Sequence, residues 1–180
     1  ELDTLEQTIR ERLGSHVYGV NEETIEFSVL QLLKERSETV CTAESITGGM
    51  LGSRLTSIPG SGKSYLGGVV VYDAGQKTNL LGLDPEMVER ETPVSRAVAI
   101  GLAENARAKL GADWAIGTVG NAGPTSDEGG KEVGLVYIAF SGKNGTGCEE
   151  FHFVGTREDI RIRTCQSAFT MLRNQLLPRM

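Results

Sequence analysis

The sequence predicts an α/β fold, a three-layer α/β/α sandwich around a largely parallel or mixed sheet. Three observations carry this expectation. Short β-rich apolar runs alternate with segments whose apolar residues recur at helical spacing. Three strand candidates are followed directly by loops of small, polar and glycine residues, as in open sheets that bind ligands beyond strand carboxyl ends. The 180 residues are 39% hydrophobic and 23% charged, which suits one compact domain plus an appendage.

The elements follow in chain order. Residues 2–13 place Leu2, Leu5, Ile9 and Leu13 on one helical stripe, with Gly14 as the stop. His16–Tyr18 reads as a short extended stretch. Asn21 is the expected N-cap of a second helix, whose stripe is Ile25, Val29, Leu30, Leu32 and Leu33. Thr39–Ala43 fits a buried strand. A short helix is expected over 48–56 behind Gly48-Gly49, and a loop over 59–65. Leu66–Tyr72 reads as a central strand, followed by a short helix through Leu81. Ser95 should cap a long alanine-rich helix that Gly111 ends. Trp114–Val119 and Val133–Ser141 are strands flanking a glycine-rich loop over 120–134. Glu149–Val154 alternates like an edge strand, and a last helix runs from near Thr156 to Leu177. Residues 1–20 are thus a lead-in and 21–180 the domain.

Composition narrows the function. A net charge of -6 disfavours non-specific binding to nucleic acid or anionic membranes, while leaving room for one local anion site. No apolar run is long enough for a transmembrane helix, and no signal-peptide pattern opens the chain. The first residue is Glu, which leads us to expect a piece of something longer. Cys41, Cys148 and Cys165 are odd in number and lack metal or redox spacing, so free thiols in a reducing, cytoplasmic setting are expected. His16 and His152 are isolated, which argues against a His-rich metal site; no metal and no cofactor are expected.

The chemistry should lie in the three post-strand loops, 43–49, 72–77 and 120–124. In the first, Ser45 and Thr47 sit just before a helix start with two glycines, where amides and the helix dipole favour an anion. In the second, Lys77 lies about one helical turn past the strand. With histidine scarce, a desolvated lysine is the available base for a serine nucleophile. Gly60-Ser61-Gly62-Lys63-Ser64 imitates the end of a P-loop. The pattern requires a glycine where Ser57 stands and a strand where Pro59 interrupts, so this segment is set aside.

Taken together, AESITGG (43–49), PGSG (59–62), GGVVVYDAGQK (67–77), PVS (93–95), VGNAGP (119–124), KEVGLV (131–136) and FVGTREDIR (153–161) resemble, in order and spacing, the carboxy-terminal domain of the CinA (competence/damage-inducible) family. Residues 4–36 resemble the lead-in to that domain in the long form. The amino-terminal domain of that form, linked to ADP-ribose pyrophosphatase activity, is the expected missing part of a longer chain. The resemblance implies an amidohydrolase that converts nicotinamide mononucleotide to nicotinate mononucleotide and ammonia, without metal or cofactor. It implies Ser45 as nucleophile, Lys77 as its base and Tyr72 as a hydroxyl partner in proton transfer. Substrate contacts would come from Thr47, Gly48, Gly49, Gly68, Gly120, Asn121, Ala122, Gly123 and Arg157, with amides near Gly48 and Gly49 holding oxyanion or phosphate. Self-association is a family-level expectation.

The chain departs from the family pattern at specific places. Val119 stands where a Ser or Thr is usual, Asn121 for Ile, Asp73-Ala74 for Ser/Thr-Asn, Thr156 for Asp and Ile46 for Cys. Adjacent Thr118 should face the opposite side of its strand. The alternative function is therefore a weak or inactive member that binds a nucleotide or a protein partner.

Overall fold

A computed structural model describes residues 2–126 and 129–178. Five strands form a mixed sheet in the order β2-β1-β3-β4-β5. They are β1 (Val40–Glu44), β2 (Tyr65–Val70), β3 (Trp114–Gly120), β4 (Leu135–Gly142) and β5 (Gly145–His152). β1 pairs in parallel with both β2 and β3, whereas β4 runs antiparallel to β3 and β5. The ends of β1, β2 and β3 therefore open on one side, where the expected ligand loops leave the sheet.

Alternation along the strands gives each sheet face its own core. Val40, Trp114, Ile116, Val136 and Ile138 pack against α2 (Ile25–Glu35), α3 (Met50–Thr56) and α7 (Arg157–Leu176). Cys41, Ala43, Ala115, Val119 and Ala139 face the other way, toward α4 (Ala74–Leu81), α5 (Pro85–Glu91) and α6 (Arg96–Leu110). The second layer sits close because it is built from small residues. A Cβ on Gly117 would lie 2.5 Å from the carbonyl oxygen of Ala99 on α6.

Most expected elements form, and their caps explain why. Ser95 caps α6 through the Val98 amide, and Gly111 ends it in the left-handed conformation. Thr156 and Asp159 make a capping box at the start of α7. The differences have physical reasons. The strand expected over 66–72 forms as β2, ends at Val70 and lies at the sheet edge, not centrally; successive side chains alternate between half-buried and exposed because they point to opposite faces. Thr24, not Asn21, caps α2, because Asn21 has φ +53° and belongs to the preceding turn. In the stretch expected to be extended, His16 instead closes a 3₁₀ turn and the backbone becomes extended at Val17, and Arg173 donates to the carbonyls of Ser15 and Val17 there. β5 begins at Gly145 because Gly142 and Gly145 pair across a tight hairpin. α5 was not foreseen, although Asp84 followed by Pro85 is a helix start.

The lead-in helix α1 (Leu2–Leu13) forms, yet none of its residues is buried. Among the described residues no helix is long and apolar enough to cross a membrane.

Candidate functional site

The site grows from the loop after β1. Glu44 is the last strand residue, and the Ser45 amide continues the pairing by donating to the Thr118 carbonyl at 3.0 Å. The chain then turns through Ile46, Thr47, Gly48 and Gly49 into α3. Gly48 and Gly49 have φ +58° and +96°, a region in which side chains are strained.

Lys77 comes from α4, whose N-cap is Asp73. Its side chain is only 1% exposed. Nζ donates to Ser45 Oγ at 3.2 Å and to the carbonyls of Val71 (2.9 Å) and Tyr72 (3.3 Å). Among the described residues no carboxylate pairs with this ammonium at salt-bridge distance. Burial therefore pushes its pKa down from 10.5 to about 8, against a smaller upward pull from the charge of Asp73. A hydroxyl beside a lysine with a lowered pKa has the geometry that a nucleophile and its base require.

Two arginines of α7 reach the loops that flank the pair. Arg157 donates to the Gly123 carbonyl at 2.6 Å and to the Tyr72 hydroxyl at 2.8 Å, tying the second and third loops together. Tyr72 is 62% exposed and meets Lys77 through its backbone carbonyl. Arg161, one turn along α7, donates to the Thr47 carbonyl at 2.9 Å and lies over Gly48.

Several residues expected to contact substrate turn inward instead. The amide of Gly48 donates to Ser45, and the amides of Gly49, Leu51 and Gly52 donate to the Glu44 carboxylate. The negative charge expected at this helix start is thus supplied from within the chain, and these amides are not free for an oxyanion or phosphate. Thr47 is buried, its hydroxyl 2.9 Å from that of Thr118 on the face opposite Val119. Gly68 makes room for Thr42 and Tyr65, since a Cβ there would lie 2.1 Å from Thr42 Oγ1. Gly120 is a packing glycine against Ile46 and Val136. Ala122 joins the first core. Asn121 spends its amide on the loop itself, donating to the carbonyls of Thr125 and Lys131 and accepting from Gly123. Gly123 is buried and its amide donates to the Asn121 side chain, so that, of the expected contact set, Gly48 and Arg157 are exposed beside Ser45 and Lys77.

Residues 22–176 match the family described as the CinA C-terminal domain. The chain belongs to that family. CinA-like proteins of Koribacter versatilis and Thermosynechococcus vestitus are each 42% identical to it over 98% of its length, but the match covers only 42% and 43% of those proteins. The chain thus spans less than half the length of these curated relatives. A crystal structure of a CinA superfamily protein from Klebsiella pneumoniae superposes with a TM-score of 0.82 at 28% identity, covering 84% of this chain and 95% of that one. A competence/damage-inducible protein of Agrobacterium tumefaciens does so with 0.80 at 32% identity, covering 84% and 93%.

Two residues of this CinA domain were missed in the sequence, Glu44 and Arg161. Both lie inside the quoted motifs. The available signals were an acid five residues before a glycine-started helix and an arginine one turn after Arg157.

Proposed function

We propose that this CinA domain hydrolyses the carboxamide of nicotinamide mononucleotide, releasing ammonia, by a Ser–Lys mechanism. The observation that carries the reading is the 3.2 Å contact between Ser45 Oγ and a buried Lys77 that no described carboxylate pairs with. When Lys77 is neutral, its two N–H bonds go to the Val71 and Tyr72 carbonyls, and its lone pair accepts from Ser45 Oγ–H. Ser45 then attacks the amide carbon while Lys77 takes its proton. Lys77 returns that proton to the departing nitrogen, which leaves as ammonia. Water, deprotonated by the same lysine, attacks the acyl carbon, and Lys77 returns that proton to Ser45 Oγ as the acid leaves. Arg157 supplies charge-assisted hydrogen bonds for the phosphate, with the Tyr72 hydroxyl beside it as a further phosphate contact and not a member of the proton transfer at Ser45. The substrate and three free thiols suit a cytoplasmic protein.

One observation favours a second reading, a weak or inactive member that binds a nucleotide. Val119 is fully buried on the face that carries Ala43 and Val71, and the Thr118 hydroxyl points away to Thr47. The side chain in register with the nucleophile loop is thus apolar where the family pattern has a hydroxyl. Ammonia release from nicotinamide mononucleotide by the purified chain and by Val119→Thr separates the two. Release by either supports the deamidase site, with the variant expected to be faster. Release by neither leaves the binding reading in its place.

A further inference from the structure

The carboxylate beside the nucleophile makes an arrangement that the reaction scheme does not use. Glu44 is 2% exposed. Its Oε2 accepts from the amides of Gly49 (2.9 Å) and Leu51 (3.0 Å), and its Oε1 from the amide of Gly52 (2.9 Å) and the Thr42 hydroxyl (3.3 Å). Thr42 Oγ1 is in turn 3.0 Å from the Tyr65 hydroxyl. Space for that hydroxyl is cleared by two glycines, because a Cβ on either Gly52 or Gly68 would lie 2.7 Å from it. Four acceptor bonds satisfy a buried carboxylate, so the group is held firmly.

The backbone of Glu44 is equally fixed. It ends β1, and its carbonyl accepts from Val71 at 2.8 Å. The segment 45–48 therefore leaves from the backbone of Glu44 and returns to its side chain. That closed loop carries Ser45.

We infer that Glu44 is a positioning residue for Ser45: it clasps the start of α3 to the end of β1 and so fixes the turn on which the nucleophile stands, with Thr42 and Tyr65 holding the clasp. This rests on Ser45 being the nucleophile. Glu44 touches no reacting atom. Its loss should lower the rate of the chemical step and leave substrate affinity nearly unchanged.

The test uses Glu44→Gln, which keeps the volume but turns an NH2 against backbone donors, and Tyr65→Phe, which removes only the outer support. Residue-resolved amide exchange and kinetics on nicotinamide mononucleotide are measured for both. In Glu44→Gln the amides of Gly49, Leu51 and Gly52 should exchange at least about tenfold faster, and that of Ser45 should accelerate with them. The kcat should fall at least about tenfold with KM within about twofold. Tyr65→Phe should move the same quantities in the same direction by less, in a protein that folds. Faster exchange confined to α3, with Ser45 protection and kcat unchanged, would make Glu44 a helix cap only and overturn the inference. If Glu44→Gln does not fold, unchanged Ser45 exchange in Tyr65→Phe overturns it. A parent that releases no ammonia defeats the deamidase reading alone, since exchange at Ser45 still decides the role of Glu44.

Discussion

Between pH 8 and pH 10.5 the folded and unfolded chains hold the proton on Lys77 differently. Its pKa falls from 10.5 to about 8 on folding because burial disfavours the ammonium. In that window the unfolded chain binds more protons, so this group makes the fold more stable as pH rises. Below pH 8 the full penalty is present. Replacing Lys77 by Met should accordingly raise stability at pH 7 by on the order of 1–2 kcal/mol, reduced by the two carbonyls left without a donor, and the gain should vanish toward pH 10.5. Denaturant unfolding at the two pH values measures this; equal stability of parent and variant at pH 7 would contradict it. The rate should rise with pH as Lys77 loses its proton near pH 8. Asp73→Asn removes the charge that holds the proton on Lys77 but keeps an N-cap for α4, so the inflection of the pH–rate profile should move down. An inflection that stays put would show that Lys77 is not the group titrating.

Departures from the family pattern become intelligible at the level of elements. Thr156, standing for an aspartate, caps α7 through the Asp159 amide, and its hydroxyl also donates to the Asp159 carboxylate at 2.7 Å, a bond that an aspartate could not make. Thr156→Ala should cost about 1 kcal/mol of stability, and Thr156→Asp should be destabilising too, because two carboxylates would meet where the hydroxyl now donates, both measured by chemical denaturation. Asp73 likewise caps α4. The loop over 120–134 has a second tie at its far end, where His152 on β5 lies 3.0 Å from Glu150 and 2.6 Å from Glu132. Hydrogen bonds to Glu150 and then Glu132 hold the imidazole pKa above its usual 6.5. The contribution of this pair is present below pH 6.5 and is lost as pH rises through the folded value, because a neutral ring keeps one N–H for two carboxylates. Glu132→Gln should lower the His152 pKa read by proton NMR. An unchanged value would mean that the loop is not tied there.

At the scale of the whole molecule, the local signals and the topology were not equally legible. Caps such as Ser95 and Gly111, and stripes such as Ile25, Val29 and Leu33, are written in adjacent residues, and α6 and α2 follow from them. Strand order is set by pairing between distant segments, so the apolar run at 66–72 looked central although β2 is an edge. The proximity of Ser45 and Lys77 was legible as loops leaving parallel strands on one side. The inward turn of Asn121, Thr47 and Gly68 was not, because it depends on partners such as Lys131, Thr118 and Thr42 that other elements bring in. All three cysteines are free, Cys41 and Cys165 buried and Cys148 partly so. Thiol titration of the denatured, unreduced chain should find three thiols; fewer would contradict this arrangement.

The pairing of Ser45 with Lys77 is the centre of the account, and the rate of ammonia release from nicotinamide mononucleotide by Ser45→Ala tests it most directly. The parent, or Val119→Thr if that is the faster protein, sets the reference. Ser45→Ala should fall at least about a thousandfold, Lys77→Ala should fall to the same floor, and the double variant should be little worse than either, as for residues that act as one unit. Full ammonia release by Ser45→Ala would contradict the account.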